Sequence, residues 1–183
     1  MHGCCRITSH SSQLKAHQII ELLTQIFTEF DSFCLQNKVI KVKTIGDSYM
    51  CFRGDGSHTE NAISIANVAL AMASAKFTWP CAVGSGSTDP DPVRFRIGVA
   101  SGPATAGVIG RKRLQYDVWG ETVSVASHME HTGMPGRVHA NETFISALKA
   151  GQVARYQIAT CGEVVIKGKG AVDTWWLEVL TQD

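Results

Sequence analysis

The sequence predicts an α+β fold in which helices pack on a mostly antiparallel sheet. Near the start of the chain, apolar residues recur every three or four positions, which is typical of an amphipathic helix. Farther along, short β-branched segments are separated by glycine-containing turns, which is typical of hairpins. The order helix, two strands, helix, strand, hairpin, helix and strands matches a ferredoxin-like βαββαβ core whose first strand is missing or truncated.

The first helix is predicted from Gln13 to Cys34, because its apolar residues fall on one face. A β-hairpin follows. Residues 39–44 are rich in β-branched side chains, Gly46 and Asp47 supply the turn, and residues 48–52 resume an extended pattern.

Ser57 and Glu60 match a capping box, which predicts a second helix running to about Lys76. Its many alanines give it a face of small residues, which favours close packing against the sheet. Residues 77–92 contain three prolines and two glycines among serines and aspartates. They are therefore predicted to form a flexible insertion loop.

The remaining elements follow the same two periodicities. They are a half-buried strand at 93–99, a hairpin of 108–109 with 114–119, a helix at 122–131, a strand at 137–140, a short helix at 142–149, and closing strands at 163–166 and 174–177. Residues 167–170 form the turn between the two closing strands.

Composition limits the classes of function. The chain has 183 residues, 44% of them hydrophobic, which predicts one domain spanning residues 1–183. A net charge of +1 produces no strong positive potential that would attract nucleic acid. No nucleic-acid partner is therefore expected, and a ferredoxin-like RNA-binding module is disfavoured. We expect a cytoplasmic domain, because no apolar run approaches the roughly 18 residues of a membrane span. The six cysteines form no CxxC pair, which predicts reduced thiols.

Two turns carry residues suited to phosphate chemistry. Asp47 sits between two predicted strands, where its carboxylate suits a hard cation such as Mg²⁺. From this residue alone, an ordinary turn former is the simpler interpretation, because Gly-Asp is common at hairpin tips. Lys167 and Lys169 flank Gly168, and a lysine beside exposed backbone amides suits a polyphosphate. A solvated basic turn is the alternative.

Lys43 and Asp117 both lie among apolar neighbours. Partly buried, they would present one hydrogen-bond donor and one acceptor to the edge of a base. A structural ion pair between them explains the same residues, and the spacing leaves both interpretations open.

Five segments in order resemble the catalytic domain of class III adenylyl and guanylyl cyclases. The first is Lys-Thr-Ile-Gly-Asp-Ser-Tyr-Met at 43–50, which resembles the metal-bearing hairpin of that family. The others lie at 96–103, 106–110, 116–123 and 165–170. Five ordered blocks are a far more specific signal than any one of them. The resemblance covers the chain from about Gln13 onwards, leaving residues 1–12 as a degenerate or truncated start.

The resemblance implies a head-to-tail homodimer or a heterodimer with another cyclase domain, with ATP at the interface. Intramolecular phosphoryl transfer would give cyclic AMP with the help of two Mg²⁺ or Mn²⁺ ions. Asp47 matches a metal-binding aspartate of the family. Lys43 and Asp117 match the purine-recognising pair of adenylyl cyclases, where guanylyl cyclases carry Glu and Cys. Lys167 and Lys112 match basic residues that contact the phosphates.

Three positions depart from the family pattern. Gly3 falls where the other metal aspartate is expected, so the start of the chain is degenerate or truncated. Ser124 stands where active homodimeric cyclases have an Asn that orients the ribose, and His128 where they have an Arg that stabilises the transition state. A histidine there is similar to the metal-donating half of heterodimeric cyclases. The competing hypothesis is a pseudocyclase, a dimerising or nucleotide-sensing module without turnover.

Overall fold

The computed structural model describes residues 2–7, 15–80, 91–152, 154–166 and 168–180. They contain both helices and strands, as the two hydrophobic periodicities predict. In chain order the elements are β1 (His2–Ile7), α1 (Ala16–Gln36), β2 (Ile40–Ile45), β3 (Ser48–Phe52), α2 (His58–Ser74), β4 (Phe77–Thr78), β5 (Pro92–Val93), β6 (Phe95–Ala100), β7 (Thr105–Ile109), β8 (Gln115–Trp119), α3 (Glu121–His131), β9 (Val138–Asn141), α4 (Glu142–Ala150), β10 (Tyr156–Ile166) and β11 (Gly170–Val179).

The main sheet has the strand order β10-β11-β9-β6-β1-β3-β2. Within it, β6-β1-β3-β2 together with α1 and α2 forms the predicted ferredoxin-like βαββαβ core. The pairs of β1 with β3 and β6 are antiparallel, and β6 with β9 is parallel. Strands β7 and β8 form a separate hairpin.

The expectation of a missing first strand was wrong. Residues 2–7 form β1, which lies in the middle of the core, with Gly3 opposite Cys51 on one side and Val99 on the other. This segment carries two cysteines, a glycine and an arginine and lacks the apolar alternation that marks a strand, so its sequence gave no local signal. Pairing with β3 and β6 supplies the order instead.

Helices cover the two faces of the sheet because side chains alternate along β6. Ile97 and Val99 face the large core formed with α1 and α2, whose buried residues include Phe30 and Ile65. Ala100 belongs to a second cluster on the other face, which includes Val125, Ala126 and Met129 of α3. The sheet thus holds α3 on the face opposite α1 and α2.

The capping box of α2 is confirmed. The Glu60 N–H donates to Ser57 Oγ at 3.2 Å, and the Ser57 N–H donates to Glu60 Oε2 at 2.9 Å.

At the ends of the predicted 77–92 loop, β4 pairs with β5, while residues 81–90 lie outside the described residues. No helix among the described residues is long and apolar enough to cross a membrane. Among the described side chains, Cys34 and Cys161 form no disulfide.

Candidate active site

A cleft of about 550 Å³ brings together several of the predicted site residues. Its walls come from β2, β3, β8 and the exposed face of α3. Lys43, Asp117, Ser124 and His128 all line it, and Gly3 contributes to it from β1. The fold therefore gathers residues that are far apart in sequence, such as Lys43 and Asp117, which are separated by 74 positions. We call this space the first cleft.

A β-bulge directs Lys43 into the first cleft. Lys41 pairs with Cys51 and Lys43 with Met50, so Val42 is the extra residue of the strand. Without it, side chains two positions apart would share one face of the sheet. Instead, the Lys41 ammonium lies 2.9 Å from Asp31 Oδ2 of α1, while Lys43 lies in the first cleft.

Lys43 forms an ion pair with Asp117 at 2.5 Å between Nζ and Oδ2. The Asp117 carboxylate is buried, and its Oδ1 accepts the Val118 N–H at 2.8 Å. The hydrogen bond from Lys43 lowers the pKa of Asp117 from its ordinary value, with a smaller contribution in the same direction from Val118. The predicted donor and acceptor are therefore adjacent and oppositely charged, at one wall of the cleft.

Helix α3 presents Ser124 and His128, four positions apart, on the face toward the first cleft. Its opposite face is fixed against β6 at Gly98, where a Cβ atom would lie 2.1 Å from the Glu130 backbone nitrogen. The buried Glu130 carboxylate accepts a hydrogen bond from Arg96 Nε at 2.9 Å. The backbone contact and the ion pair together set the position of α3.

The described donors do not complete a two-metal site. Asp47 lies half-buried in the β2–β3 turn, next to Ser48, which lines the first cleft. Strand β1 runs past this turn with Arg6 opposite Ser48, and its sequence His-Gly-Cys-Cys-Arg-Ile has no acidic residue. Hard cations take several oxygen ligands, and the described residues hold no group of three His, Cys, Asp or Glu suited to a metal ion. Asp47 as a metal ligand stays a prediction.

Residues 4–179 match the model of the adenylate and guanylate cyclase catalytic domain. The chain belongs to this family. Human retinal guanylyl cyclase 1 is 38% identical to it over 172 residues, which are 93% of this chain and 15% of that protein. The chain thus spans about 15% of the length of the curated relatives it matches.

Two solved structures resemble the cyclase domain along nearly all of its length. The guanylate cyclase domain of RhGC from Catenaria anguillulae, in complex with GTP, has a TM-score of 0.83 and 27% identity, covering 98% of this chain and 96% of that chain. A rhodopsin-guanylyl cyclase catalytic core with converted specificity, in complex with ATPαS, also has a TM-score of 0.83, with 28% identity and coverages of 98% and 94%.

Both predicted phosphate-binding lysines stay untested in this cyclase domain. Lys112 is exposed between β7 and β8 and does not line the first cleft. Lys167 lies outside the described residues. Its neighbour Lys169 lies 3.2 Å from Glu121 Oε1, so the turn before β11 lies against the start of α3.

The sequence analysis did not identify several residues that line the first cleft. They are Ile45, Met50, Trp119, Ser127, Glu130 and His131. Ile45 and Trp119 carried a usable signal, because each is a large apolar residue beside a polar candidate. Ile45 is 62% exposed and Trp119 39% exposed. Apolar surface next to a donor and an acceptor is what a purine ring requires.

Proposed function

We propose that this cyclase domain binds ATP and, paired with a second cyclase domain, converts it to 3′,5′-cyclic AMP and pyrophosphate in intracellular signal transduction. The observation that carries the proposal is the Lys43–Asp117 pair in the first cleft. The adenine edge has an amino donor beside a ring-nitrogen acceptor, which complements a carboxylate beside an ammonium. A base entering the cleft would exchange part of the ion pair for these two hydrogen bonds.

The lining residues support the proposal that this domain provides the base-binding half of the composite site. Ile45 and Trp119 offer apolar contact to the purine, Ser124 is placed to hydrogen-bond the ribose, and His128 to contact phosphate. Since the described residues hold no cluster suited to a metal ion and β1 has no acidic residue, we propose that the partner domain provides the metal-binding carboxylates of the composite site. This argues against the metal-donating role that His128 by itself favoured.

A pseudocyclase is the second candidate, and the absence of any acidic residue from β1 favours it. Ser124 and His128 also make weaker contacts than Asn and Arg, because a histidine lacks the five-donor fork of a guanidinium. In that case the domain binds nucleotide without turnover. Measuring binding and cyclic AMP formation separately distinguishes the two candidates.

The deciding experiment replaces Lys43 and Asp117 with Glu and Cys, the residues that guanylyl cyclases carry in the matching positions. Lys43→Glu combined with Asp117→Cys is expected to shift preference from ATP towards GTP, measured as the ratio of the two dissociation constants. The curated relatives are guanylyl cyclases, so the unmodified domain must be tested with both nucleotides. Lys41→Glu is the matched control, since Lys41 contacts α1 on the other face. An unchanged ratio in the double variant refutes the assigned roles.

A second experiment tests whether this domain binds the base while the partner domain binds the metals. The domain is mixed with a cyclase domain that carries both metal aspartates, and cyclic AMP formation is assayed with Mg²⁺ and with Mn²⁺. We expect Lys43→Ala to lower the activity of the mixture and Asp47→Asn to leave it unchanged. The reverse pattern assigns this chain the metal-donating half. If no mixture makes cyclic AMP while ATP still binds, the pseudocyclase is the correct description.

A further inference from the structure

A second cleft, of about 280 Å³, shares no lining residue with the first. Its walls come from Phe52 at the end of β3, His58 at the start of α2 and residues 101–104 after β6. None of the described residues that line it is Lys, Arg, Asp or Glu. The lining thus offers no basic side chain for a phosphate and no carboxylate for a hard cation, and this composition favours a neutral ligand.

Ser101 is fixed in the wall of the second cleft. Its backbone N–H donates to Asn141 Oδ1 at 3.1 Å, and its carbonyl accepts from Asn141 Nδ2 at 3.3 Å. Asn141 is itself held, because its Oδ1 also accepts the Phe144 N–H at 3.1 Å to cap α4. Ser101 is 5% exposed, and its hydroxyl lies 2.8 Å from His58 Nε2. A preorganised hydroxyl–imidazole pair therefore faces the second cleft.

This pair is adaptable in its hydrogen bonding. When His58 carries its proton on Nδ1, Nε2 accepts the Ser101 hydroxyl, so a ligand can donate to the Ser101 oxygen and accept from Nδ1–H. When the proton is on Nε2, it is donated to the Ser101 oxygen, so the hydroxyl can donate to a ligand and Nδ1 can accept from it. The other polar side chain in the wall, Asn61, is already satisfied by the N–H and carbonyl of Gly56, at 3.1 and 2.9 Å. Among the described residues no carboxylate holds His58, so recognition suits this pair better than nucleophilic catalysis.

We propose that the second cleft is a binding site for a small neutral heteroaromatic ring. The ring would contact the Phe52 side chain, and its nitrogens would hydrogen-bond to Ser101 and His58. A ring that carries both an N–H donor and a nitrogen acceptor matches both tautomers of the pair. The volume suits one or two fused rings, below the size of a nucleotide.

Residues 102–104 connect the second cleft to α3. The Pro103 carbonyl accepts the Thr122 hydroxyl at 2.6 Å, and a Cβ on Gly102 would lie 2.6 Å from Thr122 Oγ1. Helix α3 also carries Ser124 and His128. A ring bound against residues 102–104 would thus contact the segment that holds the start of α3, the helix that lines the first cleft. Binding itself is independent of whether the domain turns over nucleotide.

The test uses benzimidazole, a neutral fused ring with one donor and one acceptor nitrogen, titrated into the whole chain and followed by NMR. We expect saturable shifts of the Phe52, Ser101 and Gly102 amides. Ser101→Ala and His58→Gln should each weaken binding about five-fold, the usual effect of losing one hydrogen bond. The 1-methyl derivative, which lacks the donor, should also bind more weakly. Lys43→Ala is the control and should leave the affinity unchanged.

Two results would overturn the proposal. One is a set of shifts that does not saturate, and the other is equal affinity in the parent, Ser101→Ala and His58→Gln. Loss of binding in Lys43→Ala, or displacement of benzimidazole by ATP, would place the ring in the first cleft instead. Because His58 is exposed, its variant still decides the question if Ser101→Ala does not fold.

Discussion

Replacing Gly98 with Ala tests the packing of α3 on the sheet. A Cβ atom there would lie 2.1 Å from the Glu130 nitrogen and 2.2 Å from the Ala126 carbonyl oxygen, both backbone atoms of α3. Neither neighbour can rotate away as a side chain would. The helix must therefore recede by about 1 Å or more to reach ordinary van der Waals distance. Overpacking of this kind costs about 1–3 kcal/mol in the free energy of unfolding.

The same displacement should weaken function, because Ser124 and His128 move with α3. A misplacement of about 1 Å can reduce turnover by about 100-fold. We expect Gly98→Ala to lower both the denaturant midpoint and the affinity for nucleotide. Gly107→Ala is the matched control in β7, where the nearest atom to a new Cβ is 3.8 Å away on the Trp119 ring. If Gly98→Ala unfolds within about 0.5 kcal/mol of the parent, the description of this contact is refuted.

Two pH profiles follow from the buried titratable groups. The ion pair with Lys43 lowers the pKa of Asp117 below its ordinary value of 3.8, so its contribution is present above that pH and is lost as pH falls. Urea unfolding should show Asp117→Asn destabilised at neutral pH, with a deficit that shrinks below about pH 4; a constant deficit would count against the ion pair. Burial lowers the pKa of His139 from its ordinary value of 6.5, so only the unfolded state gains its proton as pH falls and stability drops below that pH. His139→Leu should show a smaller drop between about pH 6.5 and pH 5, and an identical slope would contradict this assignment.

Local patterns predicted the helices and hairpins well where one face of an element is buried. The apolar stripe of α1, the capping box of α2 and the alternation in β6 each encode their own element. Strands β10 and β11 are longer than predicted, because their outer parts are held by pairing with each other rather than by an apolar face. Strand β1 gave no local signal, since its order depends on two neighbours distant in sequence.

The candidate site was predicted in its chemistry and only partly in its geometry. Resemblance suggested Lys43, Asp117, Ser124 and His128, and the fold brings all four to the first cleft. It could not indicate that the extra residue at Val42 separates Lys41 from Lys43. The Ser101–His58 pair had no sequence signal, because the two residues are 43 positions apart and belong to no common motif.

The sequence by itself determined the family, the order of elements and the lack of an acidic residue in the strand beside Asp47. These properties depend on local periodicity and residue identity, which folding does not alter. The tertiary structure alone decided that Lys43 and Asp117 form an ion pair, that α3 lies against the backbone of Gly98, and that Ser101 and His58 meet in a second cleft. Each of these depends on backbones far apart in sequence approaching within a few ångströms, and only the packed sheet fixes those distances.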